Sequence, residues 1–313
     1  MKCLAMFVVL LLPNAGLCWA EQQYPVTGMV LKVDQLHRTF VVSCRSVPGY
    51  MDAMVMPFEV RKVKDLDGLT PGVEVNFTLV VEKESNYAEH LQIRQYESVE
   101  QDPLTARRLK LLDQLSHPGS TSARALAIGQ RVPNFTLIDQ NRHHVTLSQF
   151  SGKVVAINFI YTSCALPNFC FRSSNNFGVL QKRFKESMGR ELVLLTITFD
   201  PRRDQPDVLA RYAKTWKADP ATWHFLTGSV PDIQHVTNLF GVDYFPSEGL
   251  MNHSLHTAII DRSRNLVANI EGNQFTVDQL GDLVQTFLTQ HSGGKQGNQT
   301  PLTPNQKLQL PAR

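Results

Sequence analysis

Two nearly continuous apolar runs in the second half of the chain restrict its fold most strongly. The runs are KVVAINFI at residues 153–160 and ELVLLTITF at residues 191–199. Strands that lack polar alternation are typical of parallel strands covered on both faces. Segments with helical periodicity follow them, and TAIIDRSRNLVANIEG is predicted to be a hairpin. The order β-α-β-α-(α)-β-β-α, after a strand-rich lead-in, predicts an α/β thioredoxin-like fold over residues 128–291.

Residues 25–96 have a different pattern, with five short segments that are rich in β-branched and aromatic residues. Turn signals such as Asp67-Gly68 and Pro71-Gly72 separate these segments. About seventy residues and five strands suit a small closed all-β barrel of the OB type. The predicted fold class is therefore a small OB-type barrel that precedes a thioredoxin-like domain.

Residues 1–20 have the layout of a secretory signal peptide: an early lysine, a short apolar stretch and a small residue at Ala20. The apolar stretch is too short to span a bilayer comfortably. We therefore expect cleavage near Ala20 and an exported protein in the periplasm or another extracytoplasmic space. Membrane association is expected only if this segment stays attached as an anchor.

The remaining segments outside the two domains are short. Residues 97–127 contain LTARRLKLLDQL, predicted to be one helix, followed by a linker. Residues 292–313 are polar and rich in Gly and Pro, which predicts disorder. The chain of 313 residues has a formal net charge of +3 and no blocks of Lys or Arg. A nucleic acid is therefore not an expected partner.

Removal of the signal leaves three cysteines: Cys44, Cys164 and Cys170. In an oxidising compartment, an odd number leaves at least one thiol unpaired within the chain, and a soft metal ion is one candidate occupant. Residues six apart on one regular helix point away from each other. Pro167 lies between the last two cysteines and suits the first turn of a helix.

This spacing predicts Cys164 in the loop after a strand and Cys170 in the first turn of the next helix. The thiols then meet at the carboxyl edge of the sheet, where a helix N-terminus favours the thiolate. Three roles stay open for the pair: a structural disulfide, a redox pair and a metal site.

Three motifs resemble the Sco/SenC copper-chaperone family over residues 128–290: FIYTSC with the second cysteine, TITFDPRRDQPDVLARYA, and MNHSLHTAIIDR. The resemblance implies one copper ion bound by Cys164, Cys170 and His253 within a thioredoxin fold. It also matches Asp200 with a supporting acidic residue after the second core strand. Thiolate and imidazole are ligands that Cu(I) accepts at low coordination number, so the residue types fit.

Two departures from the family pattern and three further histidines bear on this site. Five residues separate the cysteines, where the family usually has three, and Phe171 stands where a proline often follows.

Zinc would need a fourth ligand, and His256 lies nearby in sequence. Positions three apart on a strand face opposite sides, so we interpret His256 as a surface or core residue. His143 and His144 are interpreted as a solvated turn.

A second metal site is predicted from VVSCRSVPGYMDAMVMPFEV. Met54 and Met56 alternate on a predicted strand and share one face, with Met51 and Cys44 within reach. Methionines as core filler are the alternative. Residues 26–95 resemble the CusF family of periplasmic copper-binding barrels through this M-x-M pair, the Pro-Gly turn and LTPGVEVNF. In that family a histidine and two methionines hold Cu(I), and a tryptophan packs over the metal.

The CusF resemblance matches Met54 and Met56 with the methionine pair. It places Cys44 at the histidine position and Met51 roughly at the tryptophan position. Because cysteine is also a soft ligand, the resemblance implies a second Cu(I) site in this domain.

These features predict an exported two-domain protein whose cofactor is copper. The expected state is Cu(I), with Cu(II) as an alternative. The predicted role is a metallochaperone for a copper centre such as that of respiratory cytochrome oxidase, with an oxidase subunit as partner. Two alternatives stay open. One is a thiol–disulfide oxidoreductase that uses Cys164 and Cys170 as a redox-active pair without metal. The other is copper sequestration for tolerance. Whether the protein is an enzyme is left open.

Overall fold

The computed structural model describes residues 22–82, 86–94, 125–164, 166–247 and 250–290. The predicted signal peptide, the predicted helix that precedes the linker and the predicted C-terminal tail lie outside these residues. Within the described ranges, no helix is long and apolar enough to cross a membrane.

The first domain is a closed five-stranded barrel. Its strands are β1 Gln22–Asp34, β2 Thr39–Cys44, β3 Val55–Val60, β4 Glu74–Val81 and β5 Asn86–Ile93. They close in the order β1-β2-β3-β5-β4, with β3 and β5 parallel and the other neighbours antiparallel. The rings of Phe40, Phe58 and Phe77 fill the interior, with centroids 4.8–5.7 Å apart. The predicted OB-type barrel is confirmed.

The second domain is built around a seven-stranded sheet. Its strands are β6 Thr136–Asp139, β7 His144–Thr146, β8 Val154–Ile160, β9 Leu192–Thr198, β10 Trp223–Thr227, β13 His256–Ile260 and β14 Leu266–Glu271. A separate hairpin is formed by β11 Tyr244–Ser247 and β12 Leu250–His253. The order across the sheet is β14-β13-β8-β9-β10-β6-β7. β8, β9 and β10 are parallel, whereas β13 runs antiparallel to β8.

Among the described residues, four helices cover this sheet. They are α1 Arg172–Arg183, α2 Pro206–Thr215, α3 Val230–Phe240 and α4 Val277–Thr289. The buried aliphatic and aromatic side chains of α3 belong to one apolar cluster, and those of α1, α2 and α4 belong to another. Successive residues of β8 and β9 point alternately into one cluster and the other. Both faces of these strands are therefore apolar, and their sequences show no polar alternation. The predicted thioredoxin-like fold is confirmed.

The predicted order of elements lacked three strands, β10 of the sheet and the two strands of the β11–β12 hairpin. Trp223–Thr227 forms β10 between β9 and β6, where we predicted no strand. The segment has only five residues and includes the polar His224. Such a short run cannot be told from a buried loop by periodicity, and its pairing with β9 is a tertiary effect.

The barrel is docked on the second domain because β1 presents side chains to both. Val30 lies in the barrel interior, whereas Met29 and Leu31 are buried in the apolar cluster that contains α4. On the neighbouring strand β2, Ser43 Oγ donates a 2.7 Å hydrogen bond to Asp282 of α4. Alternation along one strand therefore joins the two cores.

Candidate metal centre

The segment between the two predicted thiols is a loop followed by one tight helical turn. β8 ends at Ile160, and the chain then passes Cys164 to reach a single π-type turn at Pro167–Phe171. The proline occupies the start of this turn, where its missing N–H costs nothing. Phe169 has non-helical angles, φ −108° and ψ −111°, so the turn is kinked before α1 begins. The kink places Cys170 at the carboxyl edge of the sheet rather than along a regular helix.

Two thiols and one imidazole meet at this edge. The Sγ atoms of Cys164 and Cys170 and one ring nitrogen of His253 all lie within 4.8 Å of one another. Cys170 and His253 are buried, Cys164 is half-buried, and both cysteines are free thiols. We refer to these three residues as the Cys₂His cluster. The structure thus brings together residues that are 89 positions apart in sequence (164 to 253).

The ring of His253 is held in one orientation. His253 Nδ1 lies 3.0 Å from the Ser254 carbonyl oxygen, which can only accept, so Nδ1 carries the proton. Nε2 then faces Cys170 Sγ at 3.9 Å. The rings of Tyr161 and Phe199 lie against the imidazole, with centroid distances of 5.7 and 4.7 Å. This is the tautomer that a metal ligand through Nε2 requires.

The two thiols have opposite electrostatic environments. The pKa of Cys164 is lowered to about 4, chiefly because the Cys170 thiol donates a hydrogen bond to its sulfur and secondarily through His253. Burial raises the pKa of Cys170 well above its ordinary value, and the neighbouring Cys164 charge adds to this. The pair therefore contains one accessible thiolate and one buried thiol that stabilises it.

The acidic residue that holds the loop is Asp204, which the sequence reasoning missed. Its buried carboxylate accepts hydrogen bonds from Thr162 N at 3.0 Å, from Thr162 Oγ1, and from Thr198 Oγ1 at 2.5 Å. The predicted Asp200 instead lies beside Arg203, with a 3.9 Å ion pair. Both acids belong to FDPRRD, and only burial distinguishes them.

Asp204→Asn is expected to change the pH dependence of stability. Burial raises the pKa of Asp204 above its ordinary 3.8. As pH rises from about 4, the unfolded chain therefore loses this proton before the folded protein does. The proton on Asp204 therefore stabilises the folded protein at low pH, and this stabilisation is lost as the pH rises through the folded-state pKa. We expect the parent's free energy of unfolding to fall relative to that of Asp204→Asn over this window, in urea unfolding at several pH values.

The exposed Asp207 of α2 supplies a matched control for this measurement. Asp207→Asn should leave the pH profile of the unfolding free energy parallel to that of the parent. A parallel profile for Asp204→Asn as well would show that its buried carboxyl does not titrate differently in the folded protein.

The predicted residues of the barrel site lie at one end of β2 and β3. Cys44 N donates a 2.9 Å hydrogen bond to Met54 O, and Val42 pairs with Met56. Cross-strand partners share a face, so Cys44, Met54 and Met56 point to the same side. Met54 is 47% exposed, whereas Cys44 is buried and Met51 is partly buried against the barrel core. The predicted ligands therefore extend from the barrel interior to the surface.

The thiol of the barrel differs from the pair in the second domain. Burial raises the pKa of Cys44 to about 12. The metal-free barrel thus holds a neutral thiol, and a soft metal would have to displace its proton.

The other predicted histidines lie outside the Cys₂His cluster. His256 is on β13, where its Nδ1 is 3.2 Å from Asn269 Oδ1 and burial lowers its pKa. His143 and His144 are exposed, and His143 lies 3.6 Å from the Asp139 carboxylate.

The thioredoxin-like domain gathers two thiols and one imidazole, and the barrel presents a thiol and thioethers on one face. These are the ligand types of proteins that bind soft metal ions. The SCO1/SenC family profile matches residues 125–289, more than half of the chain. A second profile, described as copper binding periplasmic protein CusF, matches residues 23–93. The chain therefore belongs to the SCO1/SenC family and has a CusF-like barrel before the family domain. Both families bind copper.

Individual relatives are moderately similar. An SCO2-like protein of Rickettsia typhi is 30% identical over 138 residues, which cover 41% of this chain and 64% of that protein. Protein SCO1 homolog 1, mitochondrial, of Arabidopsis thaliana is 27% identical over 162 residues, 50% of this chain and 47% of that protein. The crystal structure of Arabidopsis thaliana ScoI with copper bound is 29% identical, covering 51% of this chain and 98% of that chain, with a TM-score of 0.44. The chain spans slightly less than two thirds of the Rickettsia relatives it matches.

Proposed function

We propose that this protein is an extracytoplasmic copper chaperone that binds one Cu(I) ion in each domain. The proposal rests on one observation above all, the approach of Cys164, Cys170 and His253 ligand atoms to within 4.8 Å of one another. Cu(I) is soft and accepts three such ligands. A zinc site normally needs a fourth. Among the described residues, no further His, Cys, Asp or Glu joins this cluster. The donor set therefore favours Cu(I).

In the barrel, Cys44, Met54 and Met56 are the proposed Cu(I) ligands, with Met51 beside them. Support comes from their shared face on β2 and β3 and from the match to the copper-binding CusF profile. Thioether and thiol sulfur are soft donors, and one of the methionines is exposed enough to meet incoming metal. We assign this site to acquisition and the Cys₂His cluster to delivery.

The proposed location and recipient follow from the families. The CusF profile describes a periplasmic protein, and the first residues have the layout of a signal peptide. The Sco family is associated with copper delivery to cytochrome oxidase. We therefore propose export to the periplasm or an equivalent space, and a copper-centre subunit of an oxidase as the recipient.

A thiol–disulfide oxidoreductase is the second candidate function, and the asymmetry of the thiol pair favours it. The lowered pKa of Cys164 supplies a nucleophilic thiolate, while the buried Cys170 is placed to resolve a mixed disulfide. The same residues serve both functions, so only an experiment on the third member of the cluster separates them.

Copper analysis of the reduced protein after Cu(I) loading tests the proposal. We expect two copper ions per chain in the parent. Cys164→Ser with Cys170→Ser should leave one, because serine is a hard and weak donor for Cu(I). Cys44→Ser with Met54→Leu and Met56→Leu should also leave one.

Met188→Leu, a change at a half-buried methionine of the second domain, is the control and should keep both ions. A parent that binds no copper under reducing conditions contradicts the proposed function. Incubation of the loaded protein with an apo oxidase subunit distinguishes delivery from sequestration, because a protein that only sequesters copper keeps its metal.

A further inference from the structure

The loop at residues 272–275, which we call the bridging loop, connects β14 to α4 and contacts the histidine segment of the cluster. It begins at Gly272, whose φ of +85° is a conformation that favours glycine. Gly272 N donates a 2.8 Å hydrogen bond to Leu255 O. Leu255 follows His253 by two residues, so the start of the loop is attached to the chain that carries the imidazole.

The bridging loop also holds the cysteine segment. Asn273 Nδ2 donates a hydrogen bond to Asn168 O, in the kinked turn between the two cysteines. Arg172 Nη2 donates a 2.9 Å hydrogen bond to Phe275 O, at the far end of the loop. Asn168 and Arg172 lie two residues before and after Cys170. The loop is therefore hydrogen-bonded to the chain on both sides of Cys170.

The same loop binds the barrel beside its own thiol. Arg45 Nη2 donates a 2.8 Å hydrogen bond to Gln274 O, and Arg94 Nη2 lies 3.3 Å from Gln274 Oε1. Arg45 directly follows Cys44, the barrel cysteine. One four-residue loop is thus hydrogen-bonded to the chain around the cysteine of one domain and around the cysteine and histidine of the other.

The bridging loop has room to respond to a change on either side. A cleft of about 420 Å³ lies between the domains, and Gln274 and Phe275 of the loop form part of its wall. The opposite wall includes Glu74 and Arg94 of the barrel. Close-packed interiors resist displacement, so Phe275 anchors the end of the loop in the apolar cluster of the second domain. Gln274 is exposed beside the cleft and shifts without repacking that core.

From these contacts we infer that the bridging loop couples the two copper sites energetically. A metal ion that fixes Cys44 also restricts Arg45, and through Gln274 it restricts the loop that holds the cysteine and histidine segments. The cysteine and histidine segments are then already partly ordered, so copper binding at the Cys₂His cluster loses less conformational entropy. Copper in the barrel should therefore raise the Cu(I) affinity of the cluster at least about fivefold, and linkage requires the same factor in the reverse direction. This inference rests on the proposed function.

A thermodynamic cycle on the full chain tests the coupling. The Cu(I) dissociation constant of the cluster is measured against a chromophoric Cu(I) chelator, with the barrel site intact and with Met54→Leu plus Met56→Leu. These changes conserve volume and leave the residues that contact the loop in place. The ratio compared is the dissociation constant with the barrel site removed divided by the constant with the barrel site intact. We expect it to be at least about five in the parent and to fall toward one in Asn273→Ala, which removes one of the loop's hydrogen bonds to the cysteine segment.

Asn141→Ala is the matched control, because this exposed asparagine lies at the opposite edge of the sheet from β14. It should keep the parent's ratio. The reverse measurement, barrel affinity with and without Cys164→Ser plus Cys170→Ser, should return the same factor. A parent ratio below about two, or a ratio that survives Asn273→Ala, overturns the coupling while leaving the proposed function intact. Absence of Cu(I) binding at the cluster of the parent overturns both.

Discussion

His253→Ala is expected to weaken Cu(I) binding at the Cys164–Cys170 pair by at least about 100-fold. Loss of a group that only orients a metal ligand already costs about 10- to 100-fold in affinity, and His253 is proposed to be a ligand itself. The aromatic rings of Tyr161 and Phe199 that lie against the imidazole offer no replacement donor of comparable softness. The variant keeps both thiols, so any remaining binding reports the thiol pair alone.

The same variant separates copper binding from redox chemistry. The low pKa of Cys164 depends first on the hydrogen bond from Cys170 and only secondarily on His253. His253→Ala should therefore keep most of any thiol–disulfide exchange activity toward a small disulfide substrate. Competition with a Cu(I) chelator and an exchange assay are run on one preparation.

The exposed His144 on β7 provides the matched control, and His144→Ala should leave copper affinity unchanged. A copper affinity of His253→Ala within about threefold of the parent would contradict the ligand role. Retained exchange activity in that case would favour the oxidoreductase.

The fold could be predicted from the sequence because its central strands carry a strong local signal. Every residue of β8 and β9 is buried, and an unbroken apolar run of that length has few other solutions in an α/β domain. The barrel was predictable for a similar reason, since short segments and turn residues mark each strand. β10 was not predictable, because five residues around His224 become a strand only when β9 and β6 flank them.

The Cys₂His cluster was predictable in part. Pro167 between the cysteines indicated a helix start, and the structure has a turn there, although its kink at Phe169 has no sequence signature. Spacing could not assign His253 to the thiols, because the contact depends on how the β11–β12 hairpin returns to the sheet. Family motifs supplied that assignment. Asp204 was missed because its role comes from burial beside Thr162 and Thr198, which no local pattern encodes.

The docking of the two domains was outside the reach of pattern reasoning. The alternation in TGMVLKVD predicts a strand with one interior face, and it does not say whether the other face meets solvent or protein. In the structure, Met29 and Leu31 on that second face are buried against the α4 cluster. An apolar residue on the outer face of a small barrel was the available signal, and single exposed apolar residues are too common to interpret.

Leu31→Ala is expected to destabilise the protein by about 2–5 kcal/mol, the range for truncation of a buried leucine. Leu31 is 2% exposed and belongs to the same apolar cluster as Leu283 and Val284 of α4. Truncation removes apolar burial and leaves a cavity at the junction between the domains. Although Leu31 is a barrel residue, part of the loss should therefore fall on the thioredoxin-like domain.

Tryptophan fluorescence isolates that domain, because Trp216 and Trp223 both belong to it and the third tryptophan lies in the predicted signal peptide. In urea unfolding, the fluorescence midpoint of Leu31→Ala should move to lower urea at an unchanged m-value. Leu36→Ala makes the same chemical change in the same barrel at a side chain that is 82% exposed, and it should stay within about 0.5 kcal/mol of the parent. An unchanged tryptophan midpoint for Leu31→Ala would mean that the two domains unfold independently. The bridging loop would then connect two domains that do not stabilise each other, and its contacts would not couple the two copper sites.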